Sequence, residues 1–292
     1  MSATVAGIGL QLLAIALFVA MDTTVKAMTA EFAVAQLMFC RFVVHVAFVA
    51  LLLRILSGPL PWRSKAPVQQ ILRSLCLAGA NYMFSHALAH VPLADATAVN
   101  FASPLLTVAL AALWLGESVG WRRWLGIGIG LVGVLVALRP PFLTGGPLPP
   151  AAMLLPLGTA AIYAVYQIMT RRLAAIDDPR TTILHTGVAA AVVTALAQPF
   201  VWTWPATGWG WTGLAVLGAL GGVGHALLVM AFARAPASLL APLSYTQLVW
   251  AVLASMLVFN DWPDGWTLAG AVIIAAGGVL VVLPARPATA RR

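Results

Sequence analysis

Charged residues are scarce in this chain. Aspartate, glutamate, lysine and arginine together make up 8% of its 292 residues, where a soluble domain carries about a quarter, so an ordinary water-soluble globule is excluded. Cysteine is almost missing. Cys40 and Cys76 are the only two; both fall inside apolar runs, and their spacing offers neither a disulfide framework nor a metal site. The alternation of apolar and polar positions that marks the strands of a membrane barrel is also missing, which argues against that architecture. There is no HExxH, and no serine and histidine stand convincingly placed with an acid. An intramembrane enzyme therefore has little support, and no cofactor or metal is expected.

Apolar residues dominate instead, at 62% of the chain. They gather into ten runs, at 7–28, 32–56, 69–90, 92–115, 121–139, 151–172, 180–201, 209–233, 236–259 and 264–283. Most have the length of a bilayer-crossing helix, about 20 residues. The first run follows MSATVAG, which lacks a basic leader region, and ends in Asp22 and Lys26 with no small-residue cleavage site, so it reads as a retained helix. The net charge of +8 is distributed by topology. With the N-terminus in the cytoplasm, that side receives thirteen of the sixteen basic residues: Arg54, Arg63, Lys65, Arg73, Arg122, Arg123, Arg171, Arg172, Arg180, Arg234, Arg286, Arg291 and Arg292. Lys26 and Arg139 fall opposite, and Arg41 lies within a run. Such a bias follows the positive-inside rule, placing both termini in the cytoplasm of a bacterial inner membrane. The positive charge needs no nucleic acid partner.

An offset of 144 residues lays HVPLADATAVNFASPLLTVALAALWLGES over RAPASLLAPLSYTQLVWAVLASMLVFNDW, placing Pro92 on Pro236, Leu113 on Leu257 and Glu117 on Asp261. Farther on, Gly126 meets Gly270, Gly133 meets Gly277 and Pro140 meets Pro284. The chain thus divides into a first repeat of five runs at 1–140, a Pro/Gly linker at 141–150, and a second repeat at 151–292. Five is odd, so the second repeat enters the membrane inverted. The expected fold is an all-α membrane protein of ten transmembrane helices, arranged as two inverted five-helix repeats around a central cavity, the architecture of secondary transporters.

The stretch from Ala87 to Pro140 runs from a helix-starting proline through a mid-helix proline to LGE, followed by a glycine-spaced helix. It resembles the signature of EamA-type members of the drug/metabolite transporter superfamily, as do Lys26 at the end of the first run and the Arg41–Phe42 pair. In place of the usual Trp-Gly of the first run stand Phe18 and Val19. The resemblance covers the whole chain and extends to YddG-type exporters of aromatic amino acids. It implies a cavity lined by runs 1, 3, 4, 6, 8 and 9.

Polar groups at membrane depth are costly unless they find a partner or face water, which makes them the first candidates for a site. In run 3, Asn81 and Tyr82 lie near mid-membrane, and the repeat offset places Asn81 on His225 of run 8. Run 6 carries Tyr163, Tyr166 and Gln167, at spacings that share a helix face. Asn100, Phe101 and Ser103 of run 4 lie over Ser244, Tyr245 and Gln247 of run 9, with Trp250 one turn on. The set describes an aromatic, amide-bearing and nearly uncharged cavity. Hydrogen bonding across helix pairs is the competing role for the polar members. Such a lining suits a small amphipathic or zwitterionic solute such as an aromatic or neutral amino acid. Multidrug efflux is the alternative, and a channel the reading from another class.

Asp22, if it faces the cavity, is the candidate for proton coupling, with His86 beside it. Arg41 is expected to be a structural charge, paired with Asp22 or bonded to helix-end carbonyls, and Glu117 a structural charge at a loop. Asp95 complements the dipole of its helix. Pro92, Pro104, Pro236 and Pro242 are candidate hinges. GALGGVGH (218–225) follows no strand, so its glycines are expected to serve helix packing rather than phosphate binding. The expected partners are a small-molecule substrate and the lipid bilayer. A monomer is expected, with a dimer left open.

Overall fold

The computed structural model describes residues 3–115, 120–139, 151–173, 176–232, 234, 243–244 and 246–282. Their regular structure is helical throughout, which lets each segment in hydrocarbon pair its own backbone N–H and C=O groups. The helices are α1 (Ala3–Met28), α2 (Val34–Ser57), α3 (Pro67–Leu88), α4 (Leu93–Asn100), α5 (Ala102–Leu115) and α6 (Trp121–Leu138). After a short 3-10 turn at Ala151–Leu154 come α7 (Leu155–Leu173), α8 (Pro179–Ala195), the single turn α9 (Gln198–Val201), α10 (Gly208–Phe232), α11 (Thr246–Phe259) and α12 (Gly265–Val282).

Local chemistry explains several boundaries. Pro67 and Pro179 stand in the first turns of α3 and α8, where a missing N–H costs nothing. Asp178 caps α8, its carboxylate accepting the backbone N–H of Arg180. Pro92 is the N-cap of α4. The fourth apolar run, expected as one helix, is broken at Phe101 between α4 and α5. Pro104 accounts for the break: it has no N–H to donate, and its ring crowds the carbonyl of Asn100, four residues back.

Among the described residues, five segments are long and apolar enough to cross a membrane: Thr4–Met28, Val34–Ile55, Leu93–Leu110, Ala151–Thr170 and Gly208–Leu228. Trp124–Leu138, Thr246–Phe259 and Gly265–Leu280 are shorter apolar helices. α3 and α8 are more polar, carrying Gln70, Arg73 and Asn81, and Thr181, Thr182 and Thr186. The ten expected crossings are therefore not all evident from length and apolarity.

The most extensive helix pair is α6 with α12, followed by α1 with α10, α3 with α7, α2 with α10 and α2 with α8. The α6–α12 seam depends on glycine. A Cβ on Gly270 would come within 2.7 Å of the Gly133 carbonyl oxygen, and one on Gly277 within 2.6 Å of the Gly130 nitrogen, so the two backbones approach as only small residues permit. On α10, Gly224 faces Phe18, and Gly221 faces Met21, Arg41 and His45. These are packing contacts, the role expected for GALGGVGH. The larger buried core joins α1, α2, α3, α4, α7, α8, α10 and α11, with Phe42, Leu37, Leu77, Leu93, Tyr166 and Leu217 among its members.

The two ends of the bundle carry different charge. At one end, Lys26 meets Asp261 at 3.4 Å and donates to the Val91 carbonyl. At the same end Arg139 bridges Asp95 and Asp264 at 3.3 and 2.7 Å. Asp95 also accepts the Thr267 hydroxyl at 2.6 Å, so it is a member of an inter-helix ion network beyond the helix-dipole role expected of it. The opposite end holds Arg54, Arg63, Lys65, Arg122, Arg172 and Arg180.

Candidate functional site

Three polar clusters lie inside the bundle. The first centres on Arg73 of α3, 1% exposed. Its Nη2 donates to the Thr182 carbonyl and to Thr186 Oγ1, both at 2.8 Å. Its Nε donates to Gln70 Oε1 at 3.2 Å, and Nη1 to Tyr166 Oη at 3.3 Å and Thr170 Oγ1 at 3.4 Å. The guanidinium also lies 5.3 Å from the centre of the Tyr166 ring. Every donor direction is used, fastening α3 to α7 and α8. Toward the basic end the same web continues: Gln70 donates to Asp177 at 2.8 Å, joined there by the Ser64 hydroxyl at 2.5 Å and the Lys65 N–H at 2.8 Å. Burial pushes the Asp177 carboxyl up, but the hydrogen bonds from Ser64, Gln70 and Lys65 outweigh it and hold it below the usual carboxylate range.

The second cluster follows the break between α4 and α5. Thr97 Oγ1, Asn100 Oδ1 and Ser103 Oγ are buried with no hydrogen-bond partner among the described residues, as is Ser255 Oγ of α11. Positions 97, 100 and 103 advance by three along a helix face, and α4 packs on both α7 and α11. Buried hydroxyls and amides left unpaired each cost about 1–3 kcal/mol. A row of them is therefore costly in an otherwise apolar interior.

The third cluster lies between α1, α2, α7 and α10. Asp22 (8% exposed) and Arg41 (3% exposed) sit at matching depth, ~9 and ~10 Å from the Lys26 end of their helices. They interact across space with each other and with Tyr163. Among the described residues neither side chain makes a hydrogen bond or an ion pair within 4.0 Å. The two structural roles expected for Arg41, a pair with Asp22 and bonds to helix-end carbonyls, are both missing there. His45 packs edge-on to His225 at 5.7 Å, and His225 packs on Phe18 at 4.9 Å. Tyr163 stacks on Tyr166 at 5.3 Å with 29° between the planes, linking this cluster to the first.

The residues expected to form the site divide accordingly. Tyr163, Tyr166, His225, Asn100 and Ser103 lie in the interior beside Asp22 and Arg41 or along the α4–α5 break. Phe101 is buried in the second apolar cluster, with Val134 and Met153. Gln167 and Gln247 are half-buried. Asn81 is half-buried and donates within its own helix to Leu77, at 2.8 Å. Tyr82 is 44% exposed and continues the outward stripe of Val68, Ile71 and Leu72. His86 stacks on it at 6.2 Å and is itself exposed. Trp250, 47% exposed, shares an outward stripe with Val249, Leu253 and Leu257. The structure brings none of Tyr82, His86 or Trp250 to the interior clusters. Tyr245, Glu117, Pro236 and Pro242 lie outside the described residues.

Among the described residues, open volumes flank the bundle at two places. One, of about 240 Å³, is lined by Thr23, Thr24, Glu31, Trp209 and Thr212. The other, of about 320 Å³, lies between α3 and α8 beside Gln70 and His185. Neither coincides with the expected central cavity; the interior polar clusters are enclosed by packed side chains. Sequence reasoning missed Arg73, which it assigned to a cytoplasmic connection, and His45. The signal for Arg73 was its place inside the run at 69–90, as the fifth residue, beside the core-like Ser74, Leu77 and Ala78.

A multi-pass helical bundle with unpaired polar groups in its enclosed interior is the construction of a membrane carrier. Sequence comparison makes the class specific: the pattern of the EamA-like transporter family matches residues 5–139 and again 150–283. The chain belongs to that family and is a membrane transporter, not an enzyme. An S-adenosylmethionine uptake transporter from Rickettsia bellii is 29% identical over 230 residues, covering 79% of this chain and 77% of that one. A pseudopaline exporter from Pseudomonas aeruginosa is 28% identical over 273 residues, covering 92% and 93%. A riboflavin transporter from Vibrio cholerae is 30% identical over 184 residues, covering 63% of this chain and 60% of its own. A solved crystal structure superposes over 95% of both chains with a TM-score of 0.67 at 23% identity, a likeness of fold.

Proposed function

We propose that the protein is an alternating-access carrier that exports a small amphipathic metabolite, an aromatic or neutral amino acid, across the bacterial inner membrane. Both termini face the cytoplasm in this reading, supported by the gathering of basic residues at one end of the bundle. The carrying observation is the interior row of Thr97, Asn100 and Ser103 at the break between α4 and α5, with the Tyr163–Tyr166 stack on the adjoining α7. Discontinuous helices with unpaired polar groups at mid-membrane are the usual material of carrier binding sites, and stacked rings favour an aromatic solute.

Two five-helix repeats, inverted and meeting at this site, give the moving parts. The packing supports the arrangement, because the larger helix contacts between halves occur with their mates. α1 on α10 is matched by α7 on α3, α2 on α10 by α8 on α3, and α1 on α11 by α7 on α5. Exchange of the halves maps α2–α8 and α6–α12 onto themselves. The named relatives include both an uptake transporter and an exporter; export is favoured by the exporter, matched over 92% of this chain. A counterflow screen of amino acids and cationic drugs with purified protein in liposomes tests the proposal. Saturable, competable amino acid flux supports it, drug flux alone supports multidrug efflux, and ohmic conductance in a planar bilayer points to a channel.

A further inference from the structure

Besides Arg73, the interior holds a cation, Arg41, and an anion, Asp22, that form no ion pair with each other. Arg41 on α2 and Asp22 on α1 are both buried, stand at the same depth and interact through space. Neither has a hydrogen bond or an ion pair within 4.0 Å among the described residues. Burial of a guanidinium is tolerated when its donors are occupied, as Arg73 demonstrates in the same protein with five acceptors. Arg41 is surrounded instead by groups that leave its donors unused. Phe42 lies 5.6 Å from it, and Gly221 offers no side chain where a Cβ would stand 3.7 Å from its Nε. Tyr163, stacked on Tyr166, lies within electrostatic reach of Arg41, as do the paired His45 and His225.

A carboxylate is the natural occupant of an unfilled guanidinium, because its two oxygens match the planar fork of donors. An ammonium is the natural occupant of a carboxylate beside it. One small molecule carries both groups on adjacent atoms: an α-amino acid. We infer that Arg41 and Asp22 form the headgroup subsite for a zwitterionic amino acid, its carboxylate on Arg41, its ammonium on Asp22 and its side chain toward Tyr163. The inference rests on the reading of the interior clusters as the transport site. Asp22, considered from sequence as a proton-coupling group, becomes a substrate ligand, and Arg41 changes from a structural charge to a recognition element.

Counterflow into proteoliposomes tests it, with L-phenylalanine, phenethylamine (which lacks the carboxylate), 3-phenylpropionate (which lacks the ammonium), L-leucine (which lacks the ring) and riboflavin (a ring system without the amino acid group). The expected result is phenylalanine flux that falls about ten-fold or more in both Arg41→Gln and Asp22→Asn, with melting temperature close to wild type. Asp22→Asn should shift the preference of the site toward 3-phenylpropionate, and Arg41→Gln toward phenethylamine. Equal flux of the wild type for phenylalanine and the two truncated analogues overturns the subsite, as does phenylalanine flux unchanged in both variants. Leucine moving as well as phenylalanine retains the subsite and removes the aromatic reading. Riboflavin moving while neither amino acid does retains the aromatic reading and removes the subsite; no flux of any solute removes both.

Discussion

Arg73 and Arg41 are buried in the same bundle to nearly the same extent, yet one is saturated and the other is not. Arg73 reaches five acceptors on three helices, and its neighbourhood is closed by Ser74 donating to the Thr186 carbonyl at 2.8 Å. Arg41 reaches none among the described residues. The difference separates two uses of a costly group. A guanidinium whose donors are all occupied by its own protein fixes helices relative to one another. One whose donors are unused keeps interaction energy in reserve for a ligand.

Substitutions that break this contrast should differ most in stability. Arg73→Met is expected to cost about 3 kcal/mol or more, because it leaves the buried Gln70 Oε1 and Tyr166 Oη without their donor and removes the ties from α3 to α7 and α8. Loss of the monodisperse peak on size-exclusion chromatography, or a sharply lowered melting temperature, checks it. Thr186→Val keeps the shape but deletes one acceptor of Arg73, and should cost about 1–2 kcal/mol by thermal melting in detergent.

A smaller effect is expected from acid at the basic end. Asp177 is held below the usual carboxylate range, so the stability it contributes is present above its unfolded value and is lost as pH falls through the lower, folded one. Melting temperatures across the acid range should therefore decline less steeply in Asp177→Asn than in wild type. The smallest stability change belongs to Arg41→Met. Replacing a buried charge without a protein partner by an apolar side chain is expected to leave stability level or raise it by about 1 kcal/mol, while amino acid counterflow is lost. A destabilisation as large as that of Arg73→Met would erase the distinction between the two arginines.

Much of the fold was legible in the sequence because hydrocarbon imposes a simple rule. Apolar runs of sufficient length must be helices, and Pro92, Pro67 and Pro179 mark where three of them start. Pro104 marked a weak point in the fourth run, although its periodicity gave no sign that the helix would break three residues earlier. The interior site was legible in part. Tyr163, Tyr166, Asn100, Ser103 and His225 were expected from depth along a run and lie in the interior, whereas Tyr82, His86 and Trp250 were expected on the same ground and face outward.

Depth follows from position along one helix, at ~1.5 Å per residue, so the sequence determined which residues reach mid-membrane and that the chain crosses it repeatedly. Facing depends on how each helix is rotated against its neighbours, and that rotation is set by contacts between distant segments, such as Gly133 with Gly270 and Arg73 with Thr182. Only the tertiary structure could assign one buried arginine to the scaffold and leave the other facing Asp22 with its donors unused.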